Sequence, residues 1–161
     1  MAEYSSSYYS QFYFPLQRGK YEQSWPMVKP LLVPPPTSLL DLGIGPAWYE
    51  DFLAEKGIEI LRRVGVDVNE HALQQRKAGI EYVLTNSFAT PEKFDFVVCW
   101  DSWHLFPEKD LFAFAKPGAL VLVSEPQSFG EMLATIIQKH TPLVDDWVGD
   151  MEKSRLTIFR A

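Results

Sequence analysis

Short apolar runs alternate with amphipathic stretches along the chain from residue 38 onward. Runs such as FDFVVCW, which is apolar almost throughout, are typical of parallel strands buried on both faces. The predicted strands are Ser38–Leu42, Leu61–Val68, Glu81–Leu84, Phe94–Trp100 and Leu120–Ser124. The predicted helices are Pro46–Lys56, Glu70–Lys77, Leu111–Ala115, ahead of a turn at 116–118, and Phe129–Lys139. This alternation predicts an α/β fold with a three-layer, doubly wound, mostly parallel sheet.

The flanks are less regular. Residues 17–32 look helical in part, because Pro26 and Pro30 limit the regularity of a helix. The alternating segment Arg155–Arg160, with Trp147 before it, predicts a closing pair of strands. Residues 1–15 are rich in Tyr, Ser and Phe, and we interpret them either as an arm packed over the domain or as a lid over a binding site.

These elements predict one domain over residues 1–161. It comprises an N-terminal arm and helix (1–37), a binding core (38–126), and a C-terminal helix with closing strands (127–161). The chain has 47% hydrophobic and 22% charged residues, which fits a single soluble domain with a substantial core. No run approaches the roughly 18–20 apolar residues that span a bilayer, and the first residues are not expected to form a signal peptide.

Net charge and cysteine content narrow the function. The formal net charge is −6 and there is no basic run, which argues against non-specific nucleic-acid binding. The single cysteine, Cys99, rules out an internal disulfide and leaves the redox compartment open, with a reducing cytoplasm as the default expectation.

The segment SLLDLGIGP predicts a strand, a glycine turn and the start of a helix. Asp41 ends the strand two residues before the first glycine, at the edge where open α/β sheets bind ligands. A carboxylate there repels a pyrophosphate by roughly several kcal/mol and attracts a cation. Trp48 also occupies the position that dinucleotide sites reserve for a small residue, so a nicotinamide-dependent oxidoreductase is disfavoured.

A second acidic residue, Asp67, ends the second strand some 20 residues after the glycines, where a carboxylate can accept hydrogen bonds from both ribose hydroxyls. The alternative is a helix cap, although Asn69 is better placed for capping.

From 38 to 126 the chain resembles the class I S-adenosylmethionine-dependent methyltransferases, especially the type 11 group. The segments that carry the resemblance are, in the order and spacing of that family, LLDLGIGPAW, VGVDVNEHAL, TNSF, FDFVVCWDSWHLFP and KPGALVLVSEP. The resemblance implies a seven-stranded sheet ending in an antiparallel strand, with S-adenosyl-L-methionine as the cofactor. Ala47 replaces a frequent third glycine, which is tolerable if the backbone there is helical. Asn86 replaces a frequent Asp beside the adenine.

The turn and the resemblance together give a set of expected site residues. Those expected to bind the cofactor are Asp41, Gly43, Gly45, Asp67, Val68, Asn86, Ser87, Phe88, Trp100 and Ser102. Those expected on the substrate side are Tyr9, Tyr13, Asp101, Trp103 and His104. No metal site is predicted, because His71 and His140 have no partner at metal-ligand spacing.

Several roles on the substrate side stay open. Methyl transfer from a sulfonium needs a base only if the acceptor must lose a proton. His104 is the candidate base, or it caps a turn or packs on Phe106. Trp103 is a substrate wall or core, and Asp101 binds an amine or lies in solvent. A tyrosine such as Tyr8, Tyr9 or Tyr13 over the pocket would stabilise a sulfonium through its ring face.

The sequence therefore predicts methyl transfer from S-adenosylmethionine to an unidentified small-molecule or protein acceptor. The main alternative is a non-catalytic, methyltransferase-like partner subunit that binds the cofactor, since only a short segment precedes the first strand. A homodimer is a further possibility, and an NAD-dependent oxidoreductase is the least favoured reading.

Overall fold

The apolar runs form one seven-stranded sheet. The structure is a computed structural model, and it describes residues 13–70, 76–106, 110–129 and 131–161. The strands are β1 (Ser38–Leu42), β2 (Arg62–Asp67), β3 (Ile80–Leu84), β4 (Phe94–Trp100), β5 (Ala115–Pro126), β6 (Val144–Val148) and β7 (Ser154–Arg160). Their order is β3-β2-β1-β4-β5-β7-β6, and only β7 runs antiparallel to its neighbours. The predicted fold class and the antiparallel C-terminal strand are confirmed.

Helices cover both faces of the sheet. Helices α1 (Phe14–Val28) and α2 (Trp48–Glu55) pack on one face, and α3 (Met132–Lys139) packs on the other together with short 3₁₀ turns at Trp103–Leu105 and Leu111–Phe114. Alternate residues of β4 point to opposite faces, as the period of a strand requires. Phe96 and Val98 lie in the first core cluster, whereas Val97 and Cys99 lie in the second. This double burial explains why β4 is apolar on both sides.

Helix α1 is longer and more regular than the sequence pattern predicts. The side chains that it buries form a stripe at helical spacing, which comprises Gln17, Lys20, Tyr21, Ser24 and Val28. Three of these five side chains are polar, so the sequence shows no hydrophobic period here. Pro26 lies inside the last turn, where it removes one backbone hydrogen bond close to the natural end of the helix. A 3₁₀ turn, Lys29–Leu31, follows directly.

The predicted ends of several elements are wrong. Helix α2 begins at Trp48 rather than Pro46, because the glycine turn extends through Ala47. The turn at 116–118 lies within β5 as a bulge, since Phe94 pairs with Ala115 but Phe96 pairs with Leu120. The predicted helix at 70–77 falls mostly on residues 71–75, which lie outside the described residues, and residues 76 and 77 are not helical.

The C-terminal helix also starts later than predicted, at Met132, after a 3₁₀ turn at Gln127–Phe129. The crossover from β3 to β4, residues 85–93, contains no helix. No helix in the described part of the chain is both long enough and apolar enough to cross a bilayer.

Candidate functional site

The glycine turn joins β1 to α2 and is fixed against the end of β2. The backbone N–H groups of Gly43 and Ile44 both donate to the Val66 carbonyl, at 2.7 and 3.1 Å. The Ile44 side chain fills the space above Gly65, where any Cβ would overlap it. The turn is therefore held in place before any ligand arrives, which favours binding by a preformed site.

Left-handed backbone recurs through this turn. Gly43 has φ of 85° and Gly45 has φ of 54°, a region that glycine enters without steric cost. Ala47 also lies there, with φ of 60° and ψ of 38°, and is fully buried. The expectation of helical backbone at Ala47 is wrong, and the left-handed geometry costs an alanine about 1–2 kcal/mol. This geometry gives a physical reason for the glycine that the resembled family often has there.

Gly43 packs against the tip of β4. A Cβ built on Gly43 would overlap both Oγ and Cβ of Ser102, and Ser102 Oγ is held by donation to the Trp100 carbonyl at 2.9 Å. The two predicted site residues Gly43 and Ser102 are therefore in direct contact, and the turn after β1 and the tip of β4 form one continuous wall.

Substituting Gly43 with alanine will lower the free energy of unfolding by about 1–3 kcal/mol, because the new methyl group meets both a positive φ and a fixed neighbour. Gly45→Ala is the matched control, since it has a positive φ but no atom within 4 Å of its Cβ. Urea unfolding of both variants measures the difference. Equal losses would mean that the Ser102 contact contributes nothing.

Asp41 is buried at the end of β1 beside Glu50 of α2. Burial raises the pKa of Asp41 well above its usual range, and the neighbouring charge of Glu50 raises it further. Burial also raises the pKa of Glu50. The two carboxyl groups thus retain a proton between them. Apart from the hydrogen bond between the two carboxyl groups, Asp41 Oδ1 and Glu50 Oε2 have no partner in the described structure, so this wall offers acceptor oxygens to a cation.

Asp67 connects the end of β2 to the glycine turn. Its Oδ2 accepts from the backbone N–H of Gly45 at 2.8 Å, and its Oδ1 accepts from that of Asn69 at 2.9 Å. The second bond closes a local turn, which gives the capping alternative some support. Each carboxylate oxygen carries two lone pairs, so both oxygens can accept a further hydrogen bond. Burial raises the pKa of Asp67, and these N–H groups oppose that rise.

The loop after β3 lies beside Asp67. The N–H of Thr85 donates to the Asp67 carbonyl at 2.9 Å, and the N–H of Ser87 donates to Thr85 Oγ1 at 3.0 Å. Asn86 and Ser87 are exposed on this loop. Phe88 differs, because its ring is buried against Phe114 and belongs to the core. Val68, half-buried, packs against the same core cluster.

Asp101, directly after β4, forms a buried ion pair. Its Oδ2 lies 2.8 Å from Nζ of Lys20 in α1, and the two side chains are only 1% and 3% exposed. Its Oδ1 accepts from Ser124 Oγ at 2.9 Å. The alternative of a solvated Asp101 is wrong, and the ammonium that this carboxylate meets belongs to the chain itself.

The aromatic candidates divide between core and rim. Trp100 is buried against the rings of Tyr21 and Tyr49. Trp103 is buried in the second core cluster, so core packing accounts for it. Tyr13 directly precedes α1 at its N-cap position and lies 5.9 Å, centroid to centroid, from Trp48 at the start of α2. Tyr8 and Tyr9 lie outside the described residues, as does most of the N-terminal arm.

His104 lies on the 3₁₀ turn after β4 and is held on two sides. Its Nδ1 is 3.0 Å from Oε2 of Glu125, and its backbone N–H donates to Oε1 of the same side chain at 2.9 Å. Its ring stacks on Phe129, with centroids 4.3 Å apart and an interplanar angle of 9°. Glu125 is fully buried, and burial raises its pKa while the hydrogen bonds from His104 oppose the rise. The His104 ring therefore packs on Phe129 and not on Phe106, the partner considered in the sequence analysis.

The sequence analysis missed Lys20, Glu50 and Glu125. Glu125 carries the same signal as Asp41 and Asp67, because it directly follows the apolar run LVLVS. Lys20 and Glu50 lie within helices whose residue pattern does not mark them. The buried charged side chains in the described structure are five acids and one lysine: Lys20, Asp41, Glu50, Asp67, Asp101 and Glu125. This excess of carboxyl groups along one edge of the sheet favours a cationic ligand.

Comparison with known structures agrees with this architecture. A ribosomal protein L11 methylase from Lactobacillus delbrueckii matches at 13% identity with a TM-score of 0.66, covering 88% of this chain and 78% of its own. A 1,6-didemethyltoxoflavin-N1-methyltransferase from Burkholderia thailandensis, solved with S-adenosylhomocysteine, matches at 15% identity and TM-score 0.62, covering 96% and 84%.

A third similar structure is a putative methyltransferase from Haloferax volcanii, solved in complex with the Trm112 methyltransferase activator. It matches at 13% identity and TM-score 0.62, and the match covers 100% of this chain and 99% of that one. No protein-family model matches the sequence, and no curated protein is similar to it. At these identities the likeness concerns the fold, and the narrower resemblance to the type 11 group stays a prediction.

Proposed function

Because the chain has the fold of the class I S-adenosylmethionine-dependent methyltransferases, we propose that it binds S-adenosylmethionine at the glycine turn and transfers the methyl group to an acceptor. The observation that carries the proposal is the buried Asp41 carboxyl, whose Oδ1 has no partner besides the Glu50 carboxyl, beside a turn with open space over Gly45. Two buried carboxyl groups that share one proton leave acceptor oxygens unsatisfied, which is costly and is relieved when a ligand brings donors. An ammonium group supplies such donors, whereas a pyrophosphate supplies none.

The residues present fit the cofactor from end to end. Asp41, with Glu50 behind it, would accept from the ammonium of the methionine part. Asp67 would accept from the ribose hydroxyls while its hydrogen bond to Gly45 keeps the turn in place. Asn86 and Ser87, on the loop tied to Asp67 through Thr85, would border the adenine. Ser102 would continue the wall toward the methyl group.

When bound, the cofactor supplies an electrophilic methyl group on a sulfonium that is already a good leaving group. The task of the protein is then to hold the acceptor in line and to exclude water. The acceptor, a small molecule or a protein, would approach at the tip of β4, where His104 and the Lys20–Asp101 pair lie.

Binding of S-adenosylhomocysteine tests the proposal directly. It is expected to stabilise the protein in a thermal-shift assay, whereas NAD gives no shift. Asp67→Asn should weaken S-adenosylhomocysteine binding by about 10- to 100-fold in calorimetry, since hydrogen bonds to a charged group are worth about 1.5–3 kcal/mol.

Asp145→Asn is the matched control, because Asp145 pairs with Arg155 on the exposed face of β6. It should leave the affinity for S-adenosylhomocysteine unchanged. Unaltered affinity in Asp67→Asn would refute the ribose role, and a shift with NAD instead of S-adenosylhomocysteine would refute the choice of cofactor.

A second function is a methyltransferase-like subunit that works only within a complex. The complete overlap with a structure solved together with an activator protein supports it. Tight S-adenosylhomocysteine binding without methyl transfer from tritiated S-adenosylmethionine to any fraction of a cell extract would favour this alternative over a self-sufficient enzyme.

A further inference from the structure

We propose that His104, oriented by Glu125, is a general base that removes the proton from a phenolic hydroxyl of the methyl acceptor. This inference rests on the proposed function and deepens it, because it assigns a substrate class to the same site. Its basis is the geometry of three side chains that meet where β4 and β5 end: His104, Glu125 and Phe129.

Glu125 sets the protonation pattern of the imidazole. An ionised carboxylate only accepts hydrogen bonds. One Glu125 oxygen already accepts from the backbone N–H of His104, so the other oxygen, 3.0 Å from Nδ1, requires the ring proton on Nδ1. Nε2 then carries the free lone pair. Hydrogen bonding at one ring nitrogen commonly fixes the role of the other in this way.

The free nitrogen is available to a substrate. No described residue is hydrogen-bonded to Nε2, and Nε2 is not among the polar atoms that are buried without a partner. The His104 side chain remains 24% exposed, although Glu125 is fully buried. An oriented imidazole with one nitrogen bound to a buried carboxylate and the other accessible is the arrangement of a general base.

The surroundings favour a flat, weakly acidic acceptor. The ring of Phe129 is stacked on His104 and is itself partly exposed, so an aromatic surface borders the imidazole. A phenol is planar and has a pKa near 10, about 3.5 units above that of an unperturbed imidazole, so proton transfer in the transition state is accessible. An aliphatic hydroxyl is far less acidic and offers no ring to stack.

The proposed step balances as follows. The phenolic oxygen gives its proton to Nε2 of His104 and forms the new O–C bond with the methyl group. The S–C bond breaks, and its electron pair remains on sulfur as a thioether. The imidazolium that results is stabilised by Glu125 and later releases its proton to water. Glu125 touches neither acceptor nor cofactor and is a positioning residue.

The first test is spectroscopic and needs no turnover. In ¹⁵N-labelled full-length protein saturated with S-adenosylhomocysteine, long-range ¹H–¹⁵N spectra should show His104 protonated on Nδ1. Glu125→Gln should give a mixture of tautomers. His140→Asn is the matched control, because His140 also stacks on a phenylalanine, Phe112, and has no carboxylate on its ring in the described structure. It should leave the His104 signals unchanged. A proton on Nε2 in the wild type overturns the inference.

The second test measures methyl transfer from tritiated S-adenosylmethionine to phenol, catechol and 4-nitrophenol, with benzyl alcohol and aniline as comparison acceptors. We expect transfer to the phenols.

The variants test the role of His104 in this transfer. His104→Gln should lower kcat by about 100-fold or more, within the range of general base catalysis. It should also abolish the fall of kcat/KM at acidic pH. Glu125→Gln should lower kcat at least tenfold with little change in KM. 4-Nitrophenol, assayed above its own ionisation, should be the least affected.

The outcomes separate this inference from the proposed function. If S-adenosylhomocysteine does not bind, the proposed function fails. If it binds and none of the phenols is methylated, or if His104→Gln retains the wild-type rate and pH profile, the inference fails while cofactor binding stands.

Discussion

Replacing Lys20 with methionine will lower the free energy of unfolding by about 3–5 kcal/mol. The substitution keeps an unbranched side chain only one atom shorter but leaves the Asp101 carboxylate buried without its cation, and an uncompensated buried charge is costly. Folded domains have a total stability of about 5–15 kcal/mol, so the loss would be a large part of the whole. Urea unfolding followed by tryptophan fluorescence measures it.

A matched control and a rescue make this test specific. Lys56 pairs with Glu22 at 3.0 Å, but those side chains are 27% and 44% exposed, so Lys56→Met should cost no more than about 1 kcal/mol. Adding Asp101→Asn to Lys20→Met should recover much of the loss, because asparagine tolerates the positive φ of 50° at this position and can still accept from Ser124. Equal costs for Lys20→Met and Lys56→Met would contradict the importance of burial.

The free energy of unfolding should also fall as the pH rises from about 5 to 8. Burial raises the pKa of both Asp41 and Glu50, so the folded chain retains a proton that the unfolded chain loses near pH 4. The stabilisation is complete below the pKa of the unfolded carboxyl and is lost as the pH climbs toward the raised pKa. Each retained proton gives a slope of about −1.4 kcal/mol per pH unit.

Comparison of variants isolates the contribution of this pair. Asp41→Asn should flatten the slope by about one proton, because the remaining Glu50 can accept from the asparagine amide. Asp145→Asn should not change the slope in this range, since Arg155 lowers the pKa of Asp145 and its titration is complete at lower pH. Urea unfolding at a series of pH values decides the matter, and parallel curves for Asp41→Asn and the wild type would contradict the assignment.

The sheet could be predicted from the sequence because its strands are buried on both faces. Strand β4 begins and ends at the predicted residues, since every position from Phe94 to Trp100 except Asp95 lies in a core cluster. Helix α1 was predicted only in part, because its buried stripe includes a glutamine, a lysine and a serine. Hydrophobic periodicity cannot reveal a stripe that polar residues form.

The residues of the candidate site were likewise predicted only in part. Asp41 and Asp67 were found because an acid at the end of an apolar strand has a fixed place in a parallel sheet. Asp101 was found at the end of β4, but its pairing with Lys20 was not, because 81 residues separate the two and nothing local marks Lys20. The left-handed Ala47 was missed because alanine rarely adopts that conformation.

The contacts of α1 also have a consequence for the order of folding. Besides Lys20–Asp101, this helix is bonded through Gln23 to Gly149 and Asp150, across 126 and 127 residues. Contacts between such distant segments form late, since a long loop must close before they contribute. During synthesis α1 therefore emerges early but completes its contacts only after the turn between β6 and β7 has left the ribosome. Ribosome-bound chains that end before residue 149 lack the Gln23 bonds, and α1 should be less protected from hydrogen exchange in them than in the released protein.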